Sequence, residues 1–204
     1  MEKPIIALAT PAVKGALAII RTSGNGVFAI TDQLFSKKVT GIDKQTMMFG
    51  TLKDGDQTID QVVLLIYPAS ASMTGEDVVE ISCHGSMVIV HQIIEAYLTR
   101  GCVYATRGEF SARAFLNGKM DLIEAEAVND LINATTVEAK NVALLSLSGE
   151  TSRLVAPLRE DISALLALVE VGIDFPEYDE EEKATDASLI EGCRKIRAPL
   201  RDLI

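Results

Sequence analysis

Residues 107–122, RGEFSARAFLNGKMDL, set a lysine directly after a glycine at Gly118-Lys119. A Gly-Lys pair closes a phosphate-binding loop when the run reads G-x-x-x-x-G-K-[ST]. The glycines then let backbone N–H groups wrap the phosphates, and the hydroxyl binds magnesium. Here Gly108 lies ten positions before Gly118, and Met120 stands where the hydroxyl must be. No other stretch of the 204 residues carries the pattern, so the sequence holds no P-loop. Two readings remain for Lys119. It starts a long helix after a short helical turn closing at Asn117-Gly118, or it contacts an anionic ligand, which would offset the unfavourable placement of a cation at a helix N-terminus.

The second dense stretch is MTGEDVVEISCHGS, residues 73–86, where Glu76, Asp77 and Glu80 bring three carboxylates to the start of a strand. Glu80 sits between Val79 and Ile81, which points to partial burial, and a buried carboxylate requires partners. The local pattern alone favours an edge-strand glutamate facing solvent. Cys83-His84 invites a metal or a nucleophile. Against a metal, the only other histidine is His91 in a helical run, and no C-x-x-C spacing exists. Against a nucleophile, neighbours in a strand point to opposite faces, so His84 cannot serve Cys83 as its base. A buried thiol and a His-Gly turn are the expected roles. Arg21 follows the apolar Leu17–Ile20 and precedes Thr22-Ser23-Gly24. A strand-end arginine there either clamps a carboxylate or phosphate in bidentate fashion or lies on the surface. The acidic EYDEEE at 177–182 reads as a solvated linker rather than a cation site.

Short apolar or alternating runs predict strands at 5–10, 16–22, 47–52, 61–67 and 77–82. Asp54-Gly55 between the third and fourth predicts a hairpin. Helical spacing marks 26–35 and 87–101, the latter closing at Gly101 as a C-terminal cap. After residue 118 the strand signals stop. Residues 119–149 place Leu122, Ala125, Val128, Leu131, Ile132, Thr135, Ala139, Val142 and Leu145 on one stripe, which predicts a single amphipathic helix to about Gly149. A second helix is expected over 153–173, with Pro157 in its first turn or kinking it, and a third opens at 187. The pattern stops in mid-helix at Ile204, which reads as a truncated chain.

A hydrophobic content of 48% with 24% charged residues is that of a globular protein with a sizeable core. No run approaches the roughly 18–20 apolar residues of a membrane span, and the apolar part of MEKPIIALATPAVKG is too short for a signal peptide. Three widely spread cysteines fit reduced thiols and a cytoplasmic location better than a disulfide framework. Residues 1–118 sum to −1 and residues 119–204 to −9 within a net charge of −10. Neither part has the basic surplus of a stand-alone nucleic-acid binder.

The segments ATPAVKGALAIIRTSG (9–24), IDQVVLLIYPASASMTGEDVVEISCHGS (59–86), RGEFSARAFLNGKMDLIEAEAVNDLINATT (107–136) and GIDFPEYDEE (172–181) together resemble the MnmE (TrmE) family of tRNA-modification GTPases. Three departures stand out: Arg107 where the family has proline, Met73 where it has an aromatic, and Ser86 where it has a glycine. The resemblance implies an α+β fold. A tetrahydrofolate-binding, T-protein-like dimerisation domain at 1–118 is followed by an all-α segment at 119–204, the first part of a helical domain. The GTPase domain that interrupts the helical domain in the family is absent, so these residues alone are expected to lack GTPase activity.

The resemblance further implies cofactor-binding roles for Arg21, Glu80 and Lys119 toward 5-formyl- or 5,10-methylene-tetrahydrofolate, with no catalytic or metal-ligating residue in this chain. Glu80 would accept pterin N–H donors, and Arg21 and Lys119 would pair with the glutamate tail. In the intact protein GTP, Mg2+ and K+ are implied, the enzyme class being a GTP hydrolase. A homodimer formed through the N-terminal domain, joined by an FAD-dependent MnmG (GidA) flavoprotein in a heterotetramer, would modify C5 of the wobble uridine (U34) of certain tRNAs. The competing reading is a dimerisation scaffold whose folate site is degraded.

Overall fold

The computed structural model describes residues 3–174 and 186–202. The chain divides into two compact units, 1–121 and 122–204. A mixed sheet with three helices, then helices alone, makes the α+β class expected from the sequence.

The first unit is built on strands β1 (Ile5–Leu8), β2 (Leu17–Ser23), β3 (Thr46–Asp54), β4 (Gln57–Tyr67), β5 (Val78–His84) and β6 (Val103–Tyr104). Their order across the sheet is β3-β4-β5-β2-β1-β6. All neighbours are antiparallel except the short β1–β6 pair. β-Branched residues at alternating positions suit a pleated, half-buried surface, which is why these runs extend. β3 and β4 form the expected hairpin, turning at Gly55, whose φ of 58° is one that glycine adopts without a Cβ penalty. The two-residue β6 is too short to be legible from alternation.

One face of this sheet carries Ile6, Ile20, Leu64, Val79 and Ile81 against helices α1 (Val27–Leu34) and α2 (Met87–Leu98). Each such side chain contributes about 1.5–3 kcal/mol on burial. Tyr97 of α2 is fully buried, yet its hydroxyl reaches Thr31 Oγ1 at 3.0 Å, so the core closes around a paired polar group. Helix α2 ends at Leu98 rather than running to Gly101, since Thr99 already caps it. Helix α3 (Glu109–Leu116) completes the unit.

In the second unit the single helix expected over 119–149 is two, α4 (Leu122–Asn133) and α5 (Val137–Leu147). Thr136 separates them, its hydroxyl accepting from Ala139 N at 3.1 Å, a side-chain cap that starts a new helix within an unbroken apolar stripe. Helix α6 (Glu150–Asp174) starts earlier than expected and carries Pro157 in its interior, beyond the first turn. Helix α7 (Asp186–Asp202) forms as expected. The acidic stretch 177–182 lies outside the described residues.

Candidate functional site

β5 lies between β4 and β2, so Glu80 is on a central strand and not on the edge that the local pattern favoured. Local sequence sets alternation but not the order of strands. On the sheet face away from α1 and α2, register aligns Met47, Leu65, Glu80, Arg21 and Ala7 in one cross-strand row. The next row holds Phe49, Val63, Ser82 and Ile19. Most of this face is apolar, and Glu80 with Arg21 interrupts it near the centre.

Directly opposite each other, the two charges pair. Arg21 Nε donates to Glu80 Oε1 at 2.7 Å, and Nη2 lies 2.6 Å from the same oxygen. The guanidinium also stands 5.6 Å from the ring centre of Phe110 on α3, within the range of a cation–π contact. Glu80 Oε2 accepts no hydrogen bond among the described residues. Glu80 lines a pocket of about 390 Å3 together with Tyr67, Ala71, Ser72, Met73 and Val78. The size is that of a small-molecule site, and the lining of mainly apolar walls with one convergent carboxylate suits a flat ring bearing N–H donors.

Lys119 is not at a helix N-terminus. It stands in the link between α3 and α4, so the helix-dipole argument for an anionic partner does not apply to it. Its Nζ reaches the Ser70 carbonyl at 3.5 Å, and it makes no ion pair among the described residues. Ser70 sits in a 3-10 turn at Ala69–Ala71, and Ala71, Ser72 and Met73 form the pocket rim. Arg21 and Glu80 are thus in contact, while Lys119 touches the loop that carries the rim.

A buried polar network that the sequence reading missed supports this loop. Arg113 of α3 is 5% exposed. Its Nη1 donates to both Glu76 oxygens at 3.1 Å, and its Nη2 donates to Glu109 Oε1 at 2.9 Å and to the Lys3 carbonyl at 3.0 Å. Burial opposes the charge of Arg113, but Glu109 and Glu76 outweigh it and raise its pKa. Ser23 Oγ donates to Glu76 Oε2 at 2.7 Å and lies 2.8 Å from Thr74 Oγ1. The one available signal was the Glu109–Arg113 spacing of four residues, which on a helix brings acid and base together.

Cys83 is buried, its thiol donating to the Ala18 carbonyl at 3.6 Å, and burial, with Asp60 nearby, pushes its pKa up to about 11. Such a group is no nucleophile at neutral pH. His84 ends β5, its backbone N–H and Nδ1 both 2.8–2.9 Å from Asp60 carboxylate oxygens.

Residues 4–119 match the family described as GTP-binding protein TrmE N-terminus, and residues 122–204 match the MnmE helical domain. Similar curated proteins include the tRNA modification GTPase MnmE of Enterococcus faecalis, 43% identical over 205 residues, and that of Lysinibacillus sphaericus, 43% identical over 206. The Bacillus subtilis protein of the same name is 40% identical over 206 residues. Each match takes in 98% of this chain but only 44–45% of the relative, so the chain spans a little under half the length of these proteins. Matched along nearly its whole length by two successive family domains, the chain belongs to the MnmE (TrmE) family.

Proposed function

We propose that the sheet unit binds a one-carbon tetrahydrofolate and pairs with a second copy of itself. It would do so within a protein that hydrolyses GTP and, with an MnmG (GidA) flavoprotein, modifies C5 of the wobble uridine of tRNA in the cytoplasm. The names of the relatives and the sequence resemblance support the larger role, and we read the sheet unit as the T-protein-like folate fold. GTP, Mg2+ and K+ act, in this reading, outside these residues, which contain no P-loop.

The observation that carries the folate reading is the Glu80 carboxylate. One of its oxygens is held by Arg21, and the residue lines a pocket with Tyr67 and Met73. A carboxylate fixed in this way keeps its other oxygen open to N–H donors from a pterin edge. Both polar contacts of Arg21 go to Glu80, so we assign Arg21 to orienting the acceptor and leave the anionic glutamate tail to Lys119 alone. When bound, the folate supplies a one-carbon unit at the formyl or methylene level. The chain's own residues bind and orient it.

The same sheet face supports the pairing. Met47 in the Glu80 row and Phe49 and Leu17 on the same face stand 71%, 58% and 66% exposed, and an apolar surface of this kind is one that a second copy covers. At a net charge of −10 the chain repels a polyanion, so selective grip on tRNA falls to the partner. Titration of the protein with 5-formyl-tetrahydrofolate tests the reading. Saturable binding is expected, whereas none at any concentration leaves the dimerisation scaffold as the better account.

A further inference from the structure

Lys119 lies in the link after α3, its backbone N–H on the Ala114 carbonyl at 2.8 Å. Its Nζ meets Ser70 on the loop whose Ala71, Ser72 and Met73 line the pocket, so where its ammonium stands depends on how that loop is held against α3. The rim loop, residues 68–77, and the end of α3 are joined at two levels. Deeper in, the Arg113 fork grips Glu76. Nearer the surface, Asn117 Nδ2 donates to the Thr74 carbonyl at 2.7 Å, two residues before Lys119. Between them the backbone packs without space. Gly75 has φ of 74°, and a Cβ there would lie 2.9 Å from Asn117 Cβ and 3.3 Å from Lys119 Cε. The stem of Lys119 therefore rests against the loop, and its Nζ meets the Ser70 carbonyl on the same loop.

We propose that Asn117 is a positioning residue: its hydrogen bond to the Thr74 carbonyl clamps the end of α3 to the rim loop and so sets the Lys119 ammonium at the mouth of the Glu80 pocket. The buried Arg113–Glu76 pair holds the two elements together. Asn117 is the last tie before the lysine and the one whose loss frees Lys119 while that pair stays intact. This inference rests on the folate reading of the same pocket, with Lys119 facing the anionic tail. The tie fixes the ammonium without touching the ligand, so it acts on the tail increment alone, meaning the ratio of affinities for a ligand with and without its p-aminobenzoylglutamate tail. Lys119 stays charged and solvated after the tie is cut, and what is lost is its location.

The test is calorimetry on the full chain with 5-formyl-tetrahydrofolate and with 5-formyl-tetrahydropterin, which lacks the tail. Lys119→Ala should lower the affinity ratio by about two- to fivefold, the range of a solvated ion pair. Asn117→Ala should lower it comparably, and the double variant should lower it no further than either single change, because both remove one interaction. Gly75→Ala, which pushes the loop off the lysine stem, should move the same ratio and decides the matter if Asn117→Ala does not fold. An unchanged ratio in Asn117→Ala, or a fully additive double variant, overturns the proposal. So does failure of both Asn117→Ala and Gly75→Ala to fold, which would make the tie a requirement of the fold. Absence of 5-formyl-tetrahydrofolate binding by the unaltered protein removes the folate reading itself. A wild-type ratio that responds to Lys119→Ala but not to Asn117→Ala or Gly75→Ala removes only this inference.

Discussion

In the sheet unit Ile20, Leu64, Ile81 and Ile93 are 0% exposed, whereas in the helical unit Val142, Ile162 and Leu166 stand 65%, 50% and 56% exposed. Among the described residues the helical unit buries only Ala127, Ala143, Leu158 and Ile196. Both units are rich in apolar residues at the right period, so the difference is one of geometry. A six-stranded sheet covered by two helices encloses a core within about 120 residues. Helices α4 to α7 touch mainly in sequence, each packing on the next, and leave an apolar groove of about 550 Å3 lined by Ile162, Leu166, Val169, Leu189 and Ile196. Stability in the first unit is therefore internal to it, while the second leaves most of its apolar surface uncovered by its own four helices.

Cutting the chain at residue 121 should give the largest contrast. Residues 1–121 are expected to melt in one cooperative transition, and residues 122–204 to lose ellipticity gradually. Circular dichroism on the two pieces checks this, and a sharp transition in the helical piece would erase the comparison.

Charge pairs should divide in the same way. Arg113→Leu leaves Glu76 and Glu109 facing a hydrocarbon and should cost about 3–5 kcal/mol. Lys195→Ala removes the exposed pair with Asp161 in the helical unit and should cost between zero and about 1 kcal/mol. Urea unfolding measures both. The network also predicts a pH dependence. The Thr106 backbone N–H, opposed by burial and aided by Arg113, holds the Glu109 carboxyl below its ordinary 4.5. A depressed carboxyl contributes stability that is complete above that ordinary value and is lost as pH falls through the lower folded one. Arg113→Leu should shrink this acid loss, and an unchanged acid limb would detach Glu109 from Arg113.

Five of the six strands of the sheet unit were legible, the two-residue β6 being too short to carry an apolar run. Short apolar runs such as Val62–Ile66 announce a strand, and Asp54-Gly55 names its own turn. The α4–α5 break was not, because the apolar stripe continues through Asn133–Thr136 and only the Thr136 hydroxyl interrupts the backbone pattern. In the site, Arg21, Glu80 and Lys119 stood out by type and motif. The pairing of Arg21 with Glu80 did not, since it depends on β2 and β5 being neighbours across 59 residues of chain. Arg113 was not singled out from the sequence, because its burial arises from a loop 37 residues away.

The central claim is that Glu80, held by Arg21, is the acceptor of a folate pocket on the open sheet face. Calorimetry of 5-formyl-tetrahydrofolate against Glu80→Gln tests it most directly. The amide keeps the side chain's size but exchanges a charged acceptor for a group that mismatches one donor. Hydrogen bonds to charged groups contribute about 1.5–3 kcal/mol, so affinity should fall by roughly tenfold to a hundredfold in a variant whose circular dichroism matches the parent. Undiminished affinity in that folded variant would contradict the account.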